Sequence, residues 1–162
     1  METVVVAVGS NLGERELYLS RAGRFLESLS TTPACKSTVW ESEPVGPSKY
    51  PFLNAVAKIT TSISPAELLS SLKLFELECG RESNPPRWGP RVLDLDIIRY
   101  GSLVLQEESL TIPHPNYHVR KFVLLPMQEI DDQWIDPRFH LSISELLQYA
   151  PDMAINPTTV DW

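Results

Sequence analysis

Val4-Val5-Val6-Ala7-Val8, closed by Gly9-Ser10-Asn11, is the stretch on which the fold turns. A β-branched run with no polar alternation reads as a central strand buried on both faces. Gly-Ser-Asn ends it with turn chemistry. Working outward, Tyr18, Ala22, Phe25, Leu26 and Leu29 recur at helical spacing on one apolar face. Cys35 to Trp40 offers a second strand and Phe52 to Thr61 a third, with a proline-rich loop from Glu43 to Pro51 between them. Ser64-Pro65-Ala66-Glu67 is a helix start, with Ser64 as N-cap, Pro65 at the first helical position and Glu67 closing a capping box. Leu68, Leu72, Phe75 and Cys79 give that helix its buried face, and Gly80 stops it. Leu93 to Tyr100 is a fourth strand turned at Gly101, and Leu103 to Leu105 a short fifth. Tyr117 to Ile130 is expected to be helical in part, broken or kinked at Pro126, and Ile143 to Tyr149 to form a last short helix. The order β-α-β-β-α-β, with extra elements after it, predicts an α+β, ferredoxin-like sandwich: a mainly antiparallel sheet with helices packed on it.

Bulk properties set the frame. The 162 residues, 43% hydrophobic and 22% charged, suit one globular domain spanning residues 1–162. A net charge of -7 argues against general nucleic-acid binding. The two cysteines, Cys35 and Cys79, do not make a disulfide framework and read as reduced thiols. The N-terminal residues lack the basic region of a signal peptide, and no apolar run approaches the ~20 residues that span a bilayer. A cytoplasmic monomer, without membrane or nucleic-acid partners, is expected.

The strongest chemical signal is Asp94-Leu95-Asp96. On a strand, positions i and i+2 share a face, so the two carboxylates lie side by side while Leu93, Leu95 and Ile97 pack on the other face. Adjacent carboxylates raise one another's proton affinity. A hard dication removes that conflict, and Mg²⁺ completes its shell with water and substrate phosphates. The segment just before, Arg81 to Arg91, has no apolar periodicity and carries Arg81, Arg87 and Arg91, with Trp88 among them and Lys73 on the preceding helix. Guanidinium forks match phosphate oxygens. A cationic loop beside an acidic metal pair is what phosphoryl transfer requires. His114, held between Pro113 and Pro115, can donate to a phosphate, and Phe52, Asn54 and Phe122 can form an aromatic slot with one amide reader. There is no P-loop, no Gly-x-Gly-x-x-Gly, no zinc spacing and no nucleophile elbow.

Arg87-Trp88-Gly89-Pro90-Arg91-Val92-Leu93-Asp94-Leu95-Asp96-Ile97 closely resembles the signature of the 6-hydroxymethyl-7,8-dihydropterin pyrophosphokinases. Val8 to Gly13, Glu43 to Pro47, Phe52 to Val56, Pro113 to Pro115 and Arg120 to Phe122 resemble further segments of that family, in order, over about residues 4 to 130. The resemblance implies an enzyme of folate biosynthesis that moves the β,γ-pyrophosphoryl group of ATP to the hydroxymethyl oxygen of the dihydropterin, leaving AMP. It implies two Mg²⁺ ions held by Asp94 and Asp96. Arg81, Arg91, His114 and Arg120 would meet the phosphates, with Arg87 and Trp88 on the same loop as the first two. Lys73 and Glu76 would lie near the nucleotide, and Ile97 and Thr111 near the adenine. Phe52 and Phe122 would stack on the pterin while Asn54 reads its edge, helped by Ser42, Pro44 and Val45. The chain differs from the family pattern at Ser83, where many members carry an arginine, at Lys121, where a small residue is usual, at Val92, and in Pro85-Pro86, which restricts the loop.

Two rivals follow from the same residues. Another Mg²⁺-dependent nucleotidyl or phosphoryl transferase would keep the aspartates and arginines without the aromatic slot. A non-catalytic ligand-binding domain would bind without turnover.

Overall fold

The computed structural model describes residues 1–44, 49–80 and 92–162. Its main sheet runs in the order β5-β1-β4-β3-β8, with β2 also paired to β4. The strands are β1 (Glu2–Ser10), β2 (Cys35–Lys36), β3 (Trp40–Ser42), β4 (Phe52–Thr61), β5 (Asp94–Tyr100) and β8 (Ile155–Pro157). Every pairing is antiparallel. With β2 and β3 counted as one strand, the order is the ferredoxin-like one, and the Val4 to Val8 run lies in the middle of it, fully paired on both sides.

Helices cover both faces. The helices α1 (Arg15–Leu29) and α2 (Pro65–Glu78) lie on one, where Val4, Val6 and Val8 meet Leu19, Leu26, Leu68 and Leu72. Stacked Phe25 and Phe75 rings, 4.2 Å apart, join the two helices. The helices α3 (Lys121–Asp131) and α4 (Ile143–Tyr149) lie on the other, where Val5, Val56 and Ile98 meet Val123, Leu124, Met127, Ile143 and Leu146. Alternation along β1 thus supplies both cores. The capping box at Ser64 and Glu67 is formed, and Gly80 follows the helix at φ +94°, a left-handed conformation that glycine adopts without strain.

Three expectations need correction, those for Cys35 to Trp40, for Pro126 and for Leu103 to Leu105, and β8 has no counterpart among them. The single strand from Cys35 to Trp40 is split into β2 and β3. Its interruption is at Ser37, whose hydroxyl accepts the Val56 N–H at 3.0 Å, in place of a ladder carbonyl, while the neighbouring Thr38 N–H turns to Glu129 at 2.9 Å. Pro126 does not break its helix; α3 runs through it, with the proline ring buried. The strand β8, against β3, has no sequence signal of its own beyond Ile155. A second small sheet pairs β6 (Leu105–Gln106) with β7 (Thr111–Ile112), one residue beyond the expected Leu103 to Leu105. Cys35 is exposed and Cys79 buried, and both are free. Among the described residues no helix is long and apolar enough to cross a membrane.

β5 is an edge strand and carries a bulge. Val5 faces Arg99 and Val6 faces Ile97, so Ile98 is the extra residue. Simple alternation would send Arg99 to the α1/α2 face and Tyr100 to the other. The bulge reverses this. Tyr100 joins the α1/α2 core, and Arg99 turns beneath α3 to form a two-pronged ion pair with Asp131, with both N–O distances 2.7 Å. Lys58 lies 3.7 Å from the same carboxylate.

Candidate active site

The cross-strand register builds the site. Gly9 of β1 faces Asp94 on one side and Asn54 on the other, and Trp40 faces Asn54 from β3. The next row pairs Asp96 with Ala7 and Ala7 with Val56. Directly paired residues point to the same face of a sheet. Val5 and Ala7 belong to the α3/α4 face, so Asp94, Asp96, Gly9 and Asn54 belong there too. The acid pair and the amide therefore share one face, with only Gly9 and Ala7 between them. Two strand spacings put Asp94 and Asn54 about 10 Å apart along that row. A Cβ at Gly9 would come 3.8 Å from Phe52 Cδ1 and 3.9 Å from Asn54 Oδ1. Phe52, two residues before Asn54 on β4, lies on the same face, and Phe122 stands in the first turn of α3 on that side of the sheet.

On the acidic side, burial pushes the Asp96 carboxyl up to about 7, with Asp94 adding to the rise; Lys73 and Arg120 oppose it. Glu76 is buried and serves the strand directly. Its Oε1 accepts the Leu95 N–H at 2.7 Å, between the two aspartates, while its Oε2 lies 3.6 Å from Lys73 Nζ. The outward-facing amide of an edge strand is thus satisfied by a helix side chain. Arg120, at the N-cap of α3, lies 5.7 Å from the centre of the Phe122 ring. Burial lowers its proton affinity, and Asp96 and Asp94 pull it back up.

His114 follows the cis Ile112–Pro113 bond that ends β7. Its backbone N–H donates to the Ile98 carbonyl at 2.8 Å, a second hook on the edge of β5. Its Nδ1 accepts the Asn116 N–H at 3.1 Å, so the neutral ring carries its proton on Nε2. Burial, with Arg120 next, lowers the His114 pKa to about 4, and the ring is neutral at ordinary pH.

On the amide side, Asn54 Nδ2 donates to Ser42 Oγ at 2.8 Å and to the Trp40 carbonyl at 3.2 Å. The amide nitrogen is turned toward β3, leaving the carbonyl oxygen on the Gly9 side. Glu129 of α3 accepts both the Trp40 Nε1–H at 2.7 Å and the Thr38 N–H, tying the helix over this end of the sheet.

Asp94, Asp96, His114, Arg120, Phe52, Asn54, Ser42 and Phe122 thus come to one side of the sheet or its β5 edge. Two expected residues do not present side chains there. Ile97 is 3% exposed in the α1/α2 core, so packing leaves little of it for a nucleotide. Glu76 lies behind β5 and is engaged with its backbone. Pro44 is exposed and Thr111 half-buried. Lys121, which departs from the family pattern, pairs with Asp152 at 2.6 Å. Val45, Arg81, Ser83, Pro85, Pro86, Arg87, Trp88 and Arg91 lie outside the described residues. The Glu76 contact was open to sequence reasoning only as a polar residue one position off an apolar helix stripe.

The acid pair fits a hard dication. Two carboxylate groups on one rigid strand, one of them holding its proton too tightly, are a donor set that Mg²⁺ would relieve.

The chain is similar to known proteins along most of its length. Residues 5–132 match the family model described as 7,8-dihydro-6-hydroxymethylpterin-pyrophosphokinase (HPPK). A Haemophilus influenzae 2-amino-4-hydroxy-6-hydroxymethyldihydropteridine pyrophosphokinase is 41% identical over 162 residues, covering 97% of this chain and 100% of its own. The Bacillus subtilis protein of the same name is 41% identical over 130 residues, 79% of this chain and 77% of its own. Among solved structures, an HPPK-DHPS in complex with substrates superposes with a TM-score of 0.68 at 15% identity. It covers 91% of this chain, which spans 43% of that longer one, and the likeness is one of fold. Matched along most of its length, with aspartates and amide on one sheet face, the chain belongs to the 7,8-dihydro-6-hydroxymethylpterin-pyrophosphokinase family.

Proposed function

We infer that this chain transfers the β,γ-pyrophosphoryl group of ATP to the hydroxymethyl oxygen of 6-hydroxymethyl-7,8-dihydropterin, a step of folate biosynthesis. The hydroxymethyl oxygen forms a bond to the β-phosphorus, the bond from that phosphorus to the α,β-bridging oxygen breaks, and AMP leaves with that oxygen. The hydroxyl proton is released as the new bond forms. The observation that supports this reading is the sheet row Asp94–Gly9–Asn54, with Asp96 one row on, which sets two carboxylates and an amide on one face with only Gly9 and Ala7 between them.

In this proposal Asp94 and Asp96 hold two Mg²⁺ ions, which neutralise phosphate charge when bound. His114 donates its Nε2–H, and Arg120 its guanidinium, to phosphate oxygens. Phe52 and Phe122 flank the ring, Asn54 Oδ1 accepts from its polar edge, and Gly9 keeps the floor open. Asp96 takes up the hydroxyl proton; no stronger base is needed, since positioning and electrostatics supply most of the rate in such transfers. Arg81, Arg87, Trp88 and Arg91 are assigned to the nucleotide by the family resemblance alone, as are Lys73 and Thr111.

The test is incubation with Mg²⁺, ATP and the hydroxymethyl dihydropterin, followed by nucleotide chromatography. AMP should appear in step with consumption of the pterin. Release of ADP, or no dependence on the pterin, sinks the reading. A floor substitution probes the ring site separately. Gly9→Ala should leave the pterin KM within a few-fold, because the added Cβ finds ordinary contacts. Gly9→Leu should raise it by at least ~10-fold, since a misfit of one or two methylenes costs about 1–3 kcal/mol. Unchanged pterin KM in Gly9→Leu removes Gly9 from the site.

A further inference from the structure

Asp136 is completely buried, yet it lies outside the cleft described above. It accepts four hydrogen bonds: from Tyr117 Oη at 2.6 Å, from the Arg138 backbone N–H at 2.7 Å, and from Arg138 Nε and Nη2 at 3.3 and 3.0 Å. The same Nη2 also donates to the His114 carbonyl at 3.4 Å. The loop that carries Asp136 is itself closed: its N–H donates to the Leu141 carbonyl at 2.9 Å, and its carbonyl accepts the His140 N–H at 2.8 Å. His140 makes the turn at φ +58°. The Arg138 guanidinium also lies 4.7 Å from the Phe139 ring centre and 5.9 Å from that of Tyr117. Burial first, then the bond to Asp136, keeps the Tyr117 hydroxyl protonated and donating.

These contacts converge on the segment from His114 to Tyr117. At its start His114 is hooked to Ile98 on the edge of β5, and at its end Tyr117 is fully buried and bonded to Asp136. Between them the Asn116 N–H sets the imidazole tautomer. A guanidinium shared by the Asp136 carboxylate and the His114 carbonyl makes the position of one depend on the other.

We propose that Asp136, acting through Tyr117 and Arg138, is the positioning group that holds His114 in register with the phosphate side of the cleft. It touches neither substrate; it fixes the backbone from which the Nε2–H is presented. The inference rests on the reading of His114 as a phosphate donor, and its test separates the two.

Asp136→Asn, Tyr117→Phe and His114→Ala are compared in the full chain, together with Asp136→Asn and Tyr117→Phe each in the His114→Ala background. Misplacing a reacting group by about 1 Å costs on the order of 100-fold. Asp136→Asn should therefore lower kcat by ~10- to 100-fold and Tyr117→Phe by ~3- to 10-fold, with pterin KM within 2-fold. In the His114→Ala background both losses should shrink to under ~2-fold, and nitrogen NMR should show His114 leaving its single Nε2–H tautomer in Asp136→Asn. Tyr117→Phe, which keeps the ring, carries the test alone should Asp136→Asn fail to fold. A loss equally large with and without His114 marks a merely structural role and overturns the proposal. A normal kcat in His114→Ala overturns the underlying assignment of His114 instead.

Discussion

Replacing Asp96 with asparagine is expected to lower turnover by at least ~10³-fold while making the apoprotein more stable at pH 8. The activity loss follows from removing one carboxylate of the acid pair: charge stabilisation by bound metal is worth several kcal/mol, and each 1.36 kcal/mol is tenfold in rate. The stability gain follows from linkage. The Asp96 pKa rises from 3.8 to about 7 on folding, so the native state holds the extra proton across that window and stability falls as pH rises through it. Asparagine removes that slope. His114 has the opposite sign: its pKa falls from 6.5 to about 4, the unfolded chain holds the extra proton, and stability rises with pH between those values. In the parent protein the two slopes oppose each other from about pH 4 to 6.5. In Asp96→Asn the opposing slope is gone, while His114, joined by His118, which burial also shifts downward, still favours the fold as pH rises, so the variant is expected to gain midpoint temperature as pH rises from 4 to 6.5. Thermal unfolding at several pH values without metal, beside an AMP-release assay, checks both halves. Parent-like turnover in Asp96→Asn would remove Asp96 from the proposed metal site. An unchanged or lower midpoint at pH 8 would show that its carboxyl is not strained.

The second large effect lies behind the site. Asp131→Ala should destabilise the fold by about 3–5 kcal/mol, the usual consequence of removing one partner of a buried ion pair. Arg99 would keep its charge with a side chain only 9% exposed, and Lys58 would lose the same carboxylate. Arg99 also donates to the Thr3 carbonyl at 3.2 Å, across the bulge in β5. The pair therefore fixes the point at which that strand changes alternation, three residues past Asp96. Urea unfolding gives the measurement. The double variant Arg99→Met with Asp131→Leu should recover most of the loss, because an apolar pair leaves no charge unpaired. A cost below 1 kcal/mol for Asp131→Ala would mean that water reaches the guanidinium.

What could be read from the residues divides along physical lines. Elements with local signals were legible: the β-branched run of β1, the partial alternation of β4 and the capping box at Ser64 with its glutamate three residues on. Elements made by partners were not. β8 exists because β3 offers it an edge, and the split at Ser37 exists because a hydroxyl reaches Val56. Of the break or kink expected at Pro126, the break does not occur, because the tertiary packing of α3 holds the helix where local propensity would end it. Asp94 and Asp96 are two apart on a strand, and that spacing alone puts them together. Their relation to Asn54 needs the register of three strands, and the bonds of Glu76 to Leu95 and of Asp136 to Tyr117 join residues 19 positions apart with no motif between them.

The outer edge of β5 is closed from behind the strand by the Glu76 carboxylate on the Leu95 N–H, and from the cleft side by the His114 backbone N–H on the Ile98 carbonyl. Uncovered strand edges are templates for joining one chain to another. Damage to catalysis here therefore carries a colloidal penalty. Variants that loosen Glu76 or the turn bearing His114 bare a row of amides and carbonyls to neighbouring molecules, and light scattering of such preparations should rise before their far-UV circular dichroism changes.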